Sequence, residues 1–194
     1  MKHVILASSS PRRRQLLGQT GLKFDVIASE YEEDNTLPLP PAELVQHLAQ
    51  GKAHWVAQDH PSSLVIGADT LVVLGDRVLG KPAGPAEVRA MIAALSGHWH
   101  TVVTGLAIVH GGQVVTDVSE TRVHLRELSA SEIDRYGRLS EPLDKAGAYG
   151  IQYTGGLFVD RLEGDYSGVV GLPMATLARR LLEFGIDLLD FAGH

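Results

Sequence analysis

Val4-Ile5-Leu6-Ala7-Ser8-Ser9-Ser10-Pro11-Arg12-Arg13-Arg14 is the stretch whose reading decides the fold. The apolar residues form a strand, the serines a tight loop, and Leu16-Leu17 the first apolar pair of a helix. Ser10 is placed as N-cap and Pro11 at the first helical position, where its missing N–H costs nothing. Arginines there face the partial positive charge of the helix start, each unfavourable by roughly 0.3–1 kcal/mol. A bound anion compensates for them, because free N–H groups at a helix start take phosphate. Hydroxyls and guanidinium forks complete such a site. The competing reading is a solvated basic face, which fits Arg14 best.

With 194 residues, 44% of them hydrophobic and 21% charged, the chain is long enough to bury a core. A single domain over 1–194, built as two lobes with a central cleft, is expected. The absence of cysteine excludes disulfides, a thiolate nucleophile and cysteine-bound zinc. No apolar run approaches the ~20 residues of a membrane span, and no secretory pattern opens the chain. Cytoplasmic location without membrane association is therefore expected. A net charge of −6 disfavours a nucleic-acid binder, whereas a small phosphorylated ligand needs only the local patch at Arg12–Arg14.

Further along, Phe24–Ile27 alternates like a half-buried strand and leads into the acidic run Glu30–Asp34. That run is either a solvated loop or the source of a carboxylate that helps hold a cation beside polyphosphate. Residues 41–58 form a helix with Leu44, Leu48, Trp55 and Val56 on one stripe; Lys52 falls on the same stripe. Its ammonium either snorkels to the surface or points into a pocket holding negative charge. Leu64–Leu74 is a central strand with a bend expected at Gly67, and Asp69 lies in its middle. A buried carboxylate must be paired, protonated or bound to metal. A structural hydrogen bond to a nearby turn and a functional role are both compatible with it.

Gly75–Lys81 imitates a phosphate loop, but Pro82 stands where a magnesium-binding hydroxyl belongs. The segment reads instead as a hairpin, from whose end Lys81 can reach phosphate. A helix follows from Pro85 to Leu95. His98-Trp99-His100 has no evident third metal ligand nearby. Strands are expected at Thr101–Val109, Gln113–Val118, Arg122–Arg126 and Leu157–Leu162, and a capping box at Ser129–Glu132 opens a helix through Leu139. In Asp144–Gln152, small residues allow close backbone approach to a ligand, with Lys145 and Gln152 as polar ends; an irregular loop reads equally well. Gly171-Leu172-Pro173 starts a last helix whose apolar face is core.

The ordered set Ala-Ser-Ser-Ser-Pro-Arg-Arg at 7–13, Gly-Ala-Asp-Thr at 67–70, Gly-Lys-Pro at 80–82, Leu-Ser-Gly at 95–97, Asp144–Gln152 and Gly-Leu-Pro at 171–173 resembles the Maf family of nucleoside triphosphate pyrophosphatases. The resemblance implies a long mixed sheet flanked by helices, related to the inosine triphosphate pyrophosphatase fold, and a homodimer. It implies hydrolysis of a nucleoside triphosphate to monophosphate and pyrophosphate with Mg²⁺ or Mn²⁺. Asp69 matches the proton acceptor, which either orients or deprotonates the attacking water or holds the metal that activates it, and Glu33 matches the acidic residue of the cleft, a metal ligand. Ser8, Arg13, Lys52 and Lys81 match groups around the triphosphate, with Lys145 a further polar contact to substrate. Arg12, Thr70 and Gln152 match positions associated with base choice, and here follow the branch acting on dTTP and UTP. Tyr153 and Gly168 depart from the family pattern. A nucleotide-binding regulator of cell division that does not cleave its ligand is the alternative.

Overall fold

The computed structural model describes residues 2–192. Strand β1 (Val4–Leu6) is fully buried and pairs in parallel with β2 (Asp25–Val26) on one side and β3 (Leu64–Leu74) on the other. Both residues of β2 are exposed, as suits a short edge strand. The remaining strands are β4 (Arg77–Leu79), β5 (Trp99–His110), β6 (Gln113–Leu125) and β7 (Val159–Glu163). Their order is β2-β1-β3-β5-β6-β7, with β4 paired to β3. The β3–β4 and β6–β7 pairs are antiparallel, so the sheet is mixed.

The helices are α1 (Pro11–Gly18), α2 (Pro41–Asp59), α3 (Pro85–Leu95), α4 (Ala130–Tyr136), α5 (Tyr166–Val170) and α6 (Met174–Leu182). Local chemistry sets their starts. Ser10 caps α1 by accepting from the Arg13 N–H, with Pro11 at the first helical position. Ser129 and Glu132 form the reciprocal box that opens α4. Helix α4 stops at Tyr136, three residues short of the expected Leu139, with Gly137 as its C-cap. Strands expected separately at 113–118 and 122–126 are one strand, β6, because the ladder continues through the polar residues between them. Short 3-10 turns lie at Glu141–Asp144 and Ala146–Ala148, and another at Thr154–Phe158 delays β7 to Val159.

The chain divides into two compact units. The first contains the residues up to Asp69, Thr104–Ser119 and the chain from Gly171; its core includes Ile5, Val56, Val65 and Val109. The second contains Thr70–Val103 and Glu120–Val170, with Ile92, Leu95, Val123 and Phe158 among its core residues. Strands β3, β5 and β6 contribute residues to both.

Within the second unit, His100 is buried and its Nε2 lies 2.7 Å from the Tyr149 hydroxyl. Burial pushes its imidazole down to about 4. The unfolded chain, with an ordinary imidazole near 6.5, binds the extra proton first as pH falls. His100 therefore contributes fully above pH 6.5 and loses up to about 3 kcal/mol of stability between pH 6.5 and 4. In urea melts across that window, His100→Gln should show a visibly flatter decline than the wild-type chain.

Candidate active site

Helix α2 approaches the sheet unusually closely, and two glycines explain why. A Cβ on Gly67 of β3 would lie 2.3 Å from the Ala49 carbonyl oxygen, and one on Gly105 of β5 would lie 2.3 Å from the Val45 oxygen. The helix backbone therefore rests directly on both strands, with Ala49 and Ala53 as small, fully buried fillers. Gly67 permits this approach, and β3 runs through it. Asp69 is two residues on and so shares a face with Gly67.

That approach brings Lys52 onto Asp69. Lys52 Nζ donates to Asp69 Oδ1 at 2.6 Å and lies 2.9 Å from Glu33 Oε1. The Lys52 and Asp69 side chains are only 13% and 9% exposed, whereas Glu33 is 38% exposed. Of the two sequence readings of Lys52, the inward one is correct. Asp69 is satisfied by this ion pair, with no turn needed to explain it.

Arg13 comes from the first turn of α1 and is half-buried. Its Nε donates to the Gly171 carbonyl at 2.7 Å and its Nη1 to Ser8 Oγ at 3.3 Å. Burial pushes its guanidinium below the ordinary value; Asp69 and Glu33 raise it and Arg12 lowers it. It stays charged, as arginines do. Arg12 is half-buried and Arg14 exposed. The first unit thus brings together Ser8, Arg13, Glu33, Lys52 and Asp69, from four separated stretches of chain. Gly171 was not singled out as a site residue from sequence, although it opens the Gly-Leu-Pro motif. Its φ of +124° marks a backbone conformation that favours glycine and presents a carbonyl to Arg13.

The other candidates lie in the second unit. Thr70 follows Asp69 directly and is half-buried, while Lys81 is exposed. Lys145 is buried, and its ammonium is engaged locally. Nζ donates to Asp144 Oδ1 at 2.6 Å and to the Glu141 carbonyl, and lies 5.2 Å from the Tyr153 ring centroid. Gln152 Oε1 is buried and accepts no hydrogen bond from the described residues. His98 bonds the Ser96 carbonyl through Nδ1, while His100 faces Tyr149.

Among the described residues no three histidine, aspartate or glutamate side chains gather at one point. All-protein zinc or calcium cages are therefore not formed by them. Glu33 and Asp69, however, each place an oxygen within 2.9 Å of one position, Lys52 Nζ. Two carboxylates are a donor set that would suit Mg²⁺ or Mn²⁺.

Residues 3–184 match the Maf-like protein family, and the chain belongs to it. It is 46% identical over 188 residues to the dTTP/UTP pyrophosphatase of Bacillus cereus (strain ATCC 10987 / NRS 248), spanning 97% of this chain and 93% of that protein. Identity to the dTTP/UTP pyrophosphatase of Bacillus anthracis is likewise 46%, over 97% of this chain and 98% of that one. Among solved structures, a nucleoside-triphosphatase / dITP/XTP pyrophosphatase from Mycobacterium abscessus is 16% identical, with a TM-score of 0.41 over 67% of this chain and 77% of that one. That last likeness is too loose to inform the site.

Removing one partner of a buried ion pair strands the other charge. Lys52→Met should lower unfolding stability by about 3–5 kcal/mol in urea melts. Adding Asp69→Asn to the same chain should recover most of the loss, because no uncompensated carboxylate then remains inside.

Proposed function

We propose that the chain, acting as one functional domain, hydrolyses dTTP and UTP, and modified pyrimidine triphosphates, to the nucleoside monophosphate and pyrophosphate. The observation that carries this reading is the meeting of Asp69 with Lys52, Glu33 and Arg13 beside the start of α1. Near-full-length similarity to proteins named dTTP/UTP pyrophosphatase supports the substrate class.

A water oxygen attacks the α-phosphorus, the bond from that phosphorus to the bridging oxygen breaks, and pyrophosphate departs. Asp69 orients the water and accepts its proton. Arg13 and Lys52 stabilise the negative charge that develops on phosphoryl oxygens, and the Ser8 hydroxyl helps fix Arg13. Glu33 and Asp69 would hold Mg²⁺ or Mn²⁺, which would supply neutralisation of phosphate charge and a more acidic water. Lys81 is assigned to the triphosphate, Lys145 to substrate contact, and Arg12, Thr70 and Gln152 to base choice. These assignments rest on the family resemblance, with the unpartnered Gln152 Oε1 the one supporting feature of their geometry. A cytoplasmic location, expected from the sequence pattern, and a homodimer, implied by the resemblance, belong to the same proposal. No described helix is long and apolar enough to cross a membrane.

Pyrophosphate release from a panel of canonical and modified triphosphates with Mg²⁺ tests the proposal. The wild-type chain should favour dTTP and UTP. Asp69→Asn should lose on the order of 10²–10⁴-fold in turnover while nucleotide binding stays within a few-fold. Binding with no pyrophosphate release by the wild type would identify a regulator instead.

A further inference from the structure

Helix α2 carries a glycine, Gly51, in its interior, where glycine is a poor helix former. The position is not open. A Cβ there would lie 2.4, 2.5 and 2.7 Å from Tyr31 Cζ, Cε1 and Cε2. The tyrosine ring thus lies directly against helix backbone, and only glycine leaves room for it. One helical turn earlier, His47 Nε2 is 3.4 Å from the Tyr31 hydroxyl, too long to hold the ring by itself. The residue after Gly51 is Lys52, and two residues after Tyr31 comes Glu33, which Lys52 contacts.

The segment so anchored has little else to hold it. Within Glu30–Asp34 every residue is exposed except Tyr31, which is half-buried. Four of the five are acidic, and they are brought towards another carboxylate, Asp69. Mutual repulsion among them opposes this placement. A partly exposed ion pair such as Lys52–Glu33 is a weak tether in water. An aromatic ring seated in a side-chain-free notch is an apolar anchor that neither salt nor charge repulsion loosens.

We propose that Tyr31, seated on Gly51, is a positioning residue that holds Glu33 at the Lys52–Asp69 pair and so sets cation affinity. The inference rests on the assignment of Glu33 to cation binding made above. Gly51→Ala suits the helix but fills the notch, so it ejects the ring without unfolding α2. Tyr31→Ala removes the ring, and Tyr31→Phe keeps the seat while deleting only the hydroxyl.

The full chain is examined in two ways. Amide hydrogen exchange of residues 30–34 reports whether the segment is held, and Mn²⁺ titration by electron paramagnetic resonance with non-hydrolysable α,β-imido-dUTP reports cation affinity. Gly51→Ala and Tyr31→Ala should each speed exchange in the segment and weaken Mn²⁺ binding about tenfold, in the range for residues that orient metal ligands. The double variant should be no worse than either single one, neither should weaken Mn²⁺ binding further in a Glu33→Gln background, and Tyr31→Phe should behave as wild type. Unchanged exchange in Gly51→Ala overturns the proposal, and so does faster exchange with unchanged Mn²⁺ affinity. Wild-type pyrophosphate release is scored separately. Its absence would remove the hydrolase reading, while exchange and Mn²⁺ binding would still decide the role of Tyr31.

Discussion

Two missing side chains govern the site. Because Gly67 and Gly105 present bare backbone, α2 settles onto β3 and β5 at a distance that a single methyl group would forbid. Protein interiors are close-packed, so an overlap of that size would have to be relieved by moving the helix. With the helix seated, a lysine on its inner stripe reaches a carboxylate on the strand below. The ion pair is thus a consequence of backbone packing.

Electrostatics then explain why an acid inside an apolar strand is tolerated. Asp69 has an ammonium at hydrogen-bond distance, and the charge of Arg13 acts on it from α1. The arginines that violate helix-start preference are not equivalent. Arg14 is solvated, whereas Arg13 turns inward to a carbonyl and a serine hydroxyl while remaining charged. This balance of cations and carboxylates supports the proposed binding of an anionic ligand together with a divalent ion.

Legibility in the sequence followed the range of the interaction. The start of α1, the capping box of α4 and the Gly75-Asp76 turn are written by neighbouring residues and were readable from them. Periodicity of 3.6 put Lys52 on the inner stripe of α2. The sequence divides strand β6 because its polar middle resembles a break, whereas in the sheet it runs as one strand beside β5. Gly51 as a seat for Tyr31, and Gly171 as the carbonyl that receives Arg13, join positions about 20 and 158 residues apart, and no local pattern signals either.

From its sequence alone this protein is an α/β chain with a strand–loop–helix start, an acid in its most apolar strand, and the ordered motifs of a nucleotide-hydrolysing family. Those features are local or cumulative, so reading along the chain recovers them. Only the tertiary structure decided that Lys52 serves both Asp69 and Glu33. The physical reason is that an ion pair depends on distances of a few ångströms between elements, which are set by how closely backbones pack and not by the residues that flank each charge.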